Sequence, residues 1–210
     1  MCYNNIGPGG KIMKKIVLFG TLFLMACATL KTSSEYITRG NGYLKDGNKQ
    51  AAIACFNKAV ELNPANLEAY EARGAAYFFN GQYDLATADF ERVLAEDPYR
   101  ISAYTAYGSV LAARGDFKNA LRVLNLVDKL GTARPETYFA RGGVHYMLEQ
   151  YDLAVADYTR VLQQRPAAEV FNARGSAYSK WGKQDMAQQD FEKAKEGGLP
   201  QHLNDYHDLN

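Results

Sequence analysis

A period of 34 residues runs through the chain: Gly40, Gly74, Gly108, Gly142 and Gly175 follow one another at intervals of 34, 34, 34 and 33. A sequence with such a period buries its apolar faces by stacking copies of one supersecondary unit, so it builds a solenoid and not a layered globule. The surroundings recur in register. Three residues after each glycine stands Tyr43, Tyr77, Leu111, His145 or Tyr178; twelve after it, Ala52, Ala86, Ala120, Ala154 or Ala187; sixteen after it, Phe56, Phe90, Leu124, Tyr158 or Phe191. Pro64, Pro98 and Pro166 close three copies at one offset. In each copy an apolar stretch of helical period ends near Gly47, Gly81, Gly115 or Gly182 and a second begins at once, which predicts an antiparallel helix pair. Glycine and alanine where the helices cross let the backbones approach, and the aromatics fill the gaps above and below.

Two further positions vary together. The residue before each glycine reads Arg39, Arg73, Tyr107, Arg141, Arg174; the residue fifteen after it, on the partner helix, reads Cys55, Asp89, Val123, Asp157, Asp190. Three copies carry both ions, the third carries neither, and the first keeps the arginine without the acid. This predicts charge-assisted structural pairs Arg73–Asp89, Arg141–Asp157 and Arg174–Asp190 across the hairpins.

Taken together, these residues resemble the tetratricopeptide repeat, from residue 33 to about residue 199. The resemblance implies an all-α, right-handed α-solenoid of five helix hairpins, residues 33–66, 67–100, 101–134, 135–167 and 168–199, followed by a C-terminal cap over residues 200–210. The departures are Val93, Val127 and Val161, at a position the family keeps small, and a third unit without its closing proline.

In that family the first helices of successive units line a concave face. Carried over position by position, the face holds Asn41 in unit one, Glu71, Phe78 and Phe79 in unit two, and Thr105 and Ser109 in unit three. Phe139 and Tyr146 follow in unit four, and Asn172 and Ser176 in unit five. Ile37 falls at a groove position of unit one by the same rule. The basic and asparagine clamp with which some relatives hold a C-terminal carboxylate is missing, since Glu71, Ala72, Ser102 and Ala106 stand at the matching sites. Chaperone tails are therefore not the expected ligand. Phe78, Phe79, Phe139 and Tyr146 are aromatics that the repeat does not require, and they flank a unit of small residues. Phe139 and Tyr146, seven apart, share one helix face. One reading is an apolar groove rimmed by Asn41, Glu71 and Asn172, fitted to a helix or extended peptide with a large side chain. The other is that these rings wedge against neighbouring helices.

The first residues read as an address. From Met13 the chain runs Met-Lys-Lys, an apolar stretch from Ile16 to Met25, then Ala26-Cys27, which is the pattern of a secretory signal. The stretch is too short to span a hydrocarbon core, which takes about 20 residues. Leu24-Met25-Ala26-Cys27 resembles the lipobox of bacterial lipoproteins. The resemblance implies cleavage before Cys27 and joining of its thiol to diacylglycerol, so that the cysteine carries two or three acyl chains, enough to anchor where one is not. Ala28, in place of an inner-membrane retention Asp, favours the outer membrane. Residues 1–12 precede a complete signal, so translation is expected to start at Met13. Residues 1–26 are then removed, and residues 27–32 form a short tether to the bilayer.

Twenty-four basic against 23 acidic residues give a net charge of +1, with no basic excess of the kind nucleic-acid binding draws on. Three cysteines do not make a disulfide scaffold. His145, His202 and His207 carry no metal-ligand spacing, and no nucleophile stands beside a base, so neither metal, cofactor nor catalytic site is expected. The sequence reads as a non-enzymatic, lipid-anchored scaffold that holds a protein partner at the bacterial envelope. A self-assembling subunit, a homodimer for instance, is the alternative.

Overall fold

A computed structural model describes residues 32–198. The lipid-attachment residue Cys27, the signal over residues 1–26 and the cap over residues 200–210 lie outside the described residues.

The described chain forms ten helices and no strand. They are α1 (Ser33–Lys45), α2 (Lys49–Leu62), α3 (Leu67–Phe79), α4 (Tyr83–Glu96), α5 (Ile101–Ala113), α6 (Phe117–Lys129), α7 (Pro135–Met147), α8 (Tyr151–Gln164), α9 (Ala168–Lys180) and α10 (Gln184–Glu196). Local chemistry sets the ends. Thr32 closes a capping box on α1: its hydroxyl accepts from the Glu35 N–H, while the Glu35 carboxylate accepts from the Thr32 N–H. Within the hairpins the chain reverses through a left-handed residue, Gly47, Gly81, Gly115 or Gly182, with φ of 75°, 76°, 82° and 79°. Unit four makes the same turn with Glu149 at φ 60°, a conformation in which a β-carbon is crowded.

Each of α3, α5 and α7 packs on its own partner, on the second helix of the preceding unit and on the first helix of the next. The core is accordingly divided into clusters shared by neighbours. Ala52, Phe56 and Ala59 of unit one join Ala69 and Ala76 of unit two. Phe90 and Val93 meet Ala103 and Val110 of unit three. Leu111 and Leu124 meet Val144 of unit four, and Tyr158 and Val161 meet Val170 and Ala177 of unit five. No unit closes its own core, so stability is carried by the interfaces.

The periodic glycine is explained by what lies on it. A β-carbon built on Gly40 would stand 2.5 Å from Cε1 of Phe56, and one on Gly108 would stand 2.7 Å from Cγ of Leu124. Only a bare Cα lets the large side chain of the second helix lie flat across the first.

Candidate protein-binding groove

The inner wall of the stack, where first helices meet one another, is not uniform. Unit three presents Ser109, Ala112 and Ala113 there, and these small side chains leave space in front of Phe139, Gly143 and Met147 of α7. The result is a hollow of about 890 Å³, within the size range of binding sites for peptide side chains and small ligands. Its back is formed by Tyr158 and Val161 of α8 and Val170 of α9. Gly143 adds to the space beside it: a β-carbon there would lie 3.8 Å from the Tyr158 hydroxyl, in ordinary contact. Phe139 stacks obliquely on Tyr158 with ring centroids 5.7 Å apart, yet stays 39% exposed, and Met147 beside it is 62% exposed. Burial pushes the Tyr158 phenol well above its usual range, so it stays neutral and adds no charge to an apolar hollow. Polar groups sit at the edge. Thr105 and Thr137 share a hydrogen bond of 2.9 Å, Ser109 donates to the Thr105 carbonyl at 3.1 Å, and Arg165 faces Glu136 at 4.0 Å.

The structure divides the expected groove residues. Thr105, Ser109, Phe139 and Tyr146 line the hollow. Phe78 does not; it is half-buried against the unit-two core, with Tyr83 at 6.0 Å, and so wedges between helices. Its neighbour Phe79 is 57% exposed on the end of α3, away from the hollow. Glu71 is no free rim acid, because its carboxylate takes Arg100 at 2.8 Å and the Ser102 hydroxyl at 2.7 Å, stitching unit two to unit three. Ile37 is buried at 3%, and Asn41 is exposed on α1 outside the hollow. Ser176 is buried and donates to the Asn172 backbone carbonyl at 2.9 Å, and neither residue lines the hollow. What sequence reading missed is the back wall, Tyr158, Val161 and Val170. Gly143, at a position the other units fill with Asn41, Ala75, Ser109 and Ser176, was the available signal.

The arginine and aspartate positions form bidentate pairs. Arg73 donates to Asp89 at 2.8 and 2.7 Å, Arg141 to Asp157 at 2.8 and 2.7 Å, and Arg174 to Asp190 at 2.7 and 2.8 Å. Each arginine also reaches the preceding unit, at Asn57, Asn125 or Thr159, so one side chain ties two hairpins. In unit three only this second tie survives, as a 2.8 Å bond from the Tyr107 hydroxyl to Glu91. Burial and that bond raise the Tyr107 phenol to about 12.

Asp128, which sequence reading passed over, joins units three and four through Arg141 at 2.7 Å, Arg160 at 3.4 Å and the Tyr138 hydroxyl at 2.9 Å. Burial acts to raise its pKa, but the bonds from Arg141 and Tyr138 and the charges of Arg141 and Arg160 outweigh it and hold it low. A depressed carboxylate contributes stability in full above its unfolded value of about 4, and that contribution is lost as pH falls through the lower folded value. Asp128→Asn is therefore expected to lower the urea midpoint at pH 7 and to lower it by less at pH 3. A constant difference between the two at both pH values would show that the charge is not what acts.

No group of His, Cys, Asp and Glu suited to a metal is present among the described residues, and none of their helices is long and apolar enough to cross a membrane. His145 is a packing residue, with Nδ1 bonded to Gln150 at 2.8 Å.

Helices packed as consecutive hairpins, with the first helices in contact along one wall, define the α-solenoid class of fold. Tetratricopeptide-repeat profiles match residues 37–101, 76–135 and 168–196, and the chain belongs to the tetratricopeptide-repeat family, whose members act as scaffolds for protein–protein interaction. No curated protein sequence matches it. Among solved structures it is similar in fold to a thermophilic tetratricopeptide-repeat protein of Thermus thermophilus, with TM-score 0.75 and 20% identity over 84% of this chain and 96% of that one. A tetratricopeptide-repeat protein of Parabacteroides merdae gives TM-score 0.74 and 21% identity over 94% and 76%. MamA of Desulfovibrio magneticus gives 0.64 and 21% over 78% and 93%.

Proposed function

We propose that this protein is a lipid-anchored scaffold of the bacterial envelope, tied to the membrane through Cys27 and holding a partner polypeptide in the hollow between α5 and α9. The observation that supports the reading is the hollow itself. Phe139 and Met147 remain exposed in front of small unit-three residues, an apolar surface whose burial by a partner side chain is favourable at about 25 cal/mol per Å². The reading assigns it no catalytic step.

Two measurements on the full chain in cells test it. Acyl labelling and membrane pelleting are expected for the parent and lost in Cys27→Ser. A photo-crosslinking residue placed at Phe139 is expected to trap a different protein, and Met147→Glu, which puts a charge into the hollow from an exposed position, is expected to remove the adduct without changing the melting temperature. Adducts only between copies of this chain would replace the scaffold with the self-assembling subunit. No acylation of Cys27 would end the envelope reading.

A further inference from the structure

Unit three is unlike its sisters on the outer face too. In units two, four and five the aromatic near the start of the first helix lies between two cations. Tyr70 has Arg73 at 5.2 Å and Arg92 at 6.0 Å from its ring centre. Tyr138 has Arg141 at 5.5 Å and Arg160 at 5.2 Å, and Phe171 has Arg174 at 5.8 Å and Lys193 at 5.5 Å. The equivalent ring of unit three is Tyr104, and the two cation positions hold Tyr107 and Leu126. The buried acid is Val123. No cation lies over Tyr104 among the described residues, and a cavity of about 520 Å³ opens between Tyr104, Tyr107, Val123 and Leu126.

Cations predominate at its rim, although Arg122 also feels the Asp116 carboxylate at the start of α6. Lys118, Arg122 and Lys129 fall on one flank of α6, at helical spacing, and none has an ion-pair partner among the described residues. Arg122 and Lys129 border the cavity directly. The one acid of α6, Asp128, is turned to the next unit and held there by Arg141 and Arg160. Glu91 meets the cavity only through the hydroxyl of Tyr107. Beside the cations, Leu126 and Leu130 are 43% and 57% exposed.

We propose that this outer face is a second docking surface, independent of the inner hollow, and that its occupant is an acidic protein segment. One large apolar side chain of that segment fills the cavity beside Tyr104, where the sister units place their own cation. Flanking carboxylates meet Arg122 and Lys129. Charge complementarity selects an acidic partner. Concavity selects a protruding side chain in preference to a bilayer, which is contacted by projecting apolar groups.

The test uses the full chain and a fluorescein-labelled nonapeptide of Glu and Asp around a central Phe, followed by anisotropy at 50 and 200 mM salt. Control peptides carry Ser at the centre or Lys at the flanks, and phosphatidylglycerol vesicles form the membrane arm. Tyr107→Arg/Val123→Asp/Leu126→Arg rebuilds in unit three the arrangement of its sisters, so the fold is kept while the cavity is closed; a melting curve checks this. Arg122→Glu/Lys129→Glu reverses the rim. The acidic Phe peptide is expected to bind the parent, to weaken at higher salt and to weaken at least tenfold on either variant, with Phe139→Ala unchanged. Absence of binding by that peptide, or equal binding by parent and variants, overturns the proposal. So does vesicle binding that depends on Leu126 and Arg122 without peptide binding.

Discussion

Asp89→Val is expected to cost about 3–5 kcal/mol, because it leaves the Arg73 guanidinium in a largely buried site without an anion, met only by the Asn57 amide and the rings of Tyr70 and Tyr77. For a domain of this size that is a fall in melting temperature of about 6–20 °C. The protein contains its own control. Unit three dispenses with both ions, keeping Tyr107 in the arginine position and Val123 in the acid position, and still closes its hairpin. Arg73→Tyr/Asp89→Val transplants that solution one unit back and is expected to recover more than half of the loss. Recovery separates the penalty of an orphaned charge from the net worth of the pair. Single and double variants that melt together would show that the ion pair, and not the orphaned charge, carries the stability.

Phe90→Ala is the other large effect, expected at about 3–5 kcal/mol. The ring is 2% exposed and lies across Gly74, where a β-carbon would stand 3.1 Å from it. It also belongs to the core that units two and three share, so its loss opens an interface as well as a hairpin. Phe79→Ala, eleven residues earlier, removes a ring that is 57% exposed and is expected to leave the melting temperature within a degree or two. Equal melting temperatures for the two variants would refute this division of the stack into buried and exposed rings.

The two phenylalanines show how far the sequence carries. Phe90 occupies a position that repeats as Phe56, Leu124, Tyr158 and Phe191, and its burial follows from the period alone. Phe78 and Phe79 have no such repetition behind them, and position in a family pattern did not tell the wedge from the exposed ring. Glu71 is a clearer case. Its exposure as a rim acid follows from the pattern, but Arg100 at the end of its own unit and Ser102 of the next claim its carboxylate. Likewise nothing local marks Asp128 as a meeting point for two arginines and a tyrosine.

By itself the sequence determined the helix pairs, their register and the close approach at each glycine, because these depend on contacts within one period and are written out five times. The three arginine–aspartate pairs were legible for the same reason, since unit three lost both members together. The inner hollow and the outer cavity were decided by tertiary structure. Each depends on which side chains of neighbouring helices leave space and which fill it, as when Ser109, Ala112 and Ala113 leave room in front of Phe139, or when Leu126 leaves the ring of Tyr104 without a cation. Such space is a property of several helices at once. A repeat pattern specifies how they stack, whereas the departures from it, read in three dimensions, specify where the stack is open.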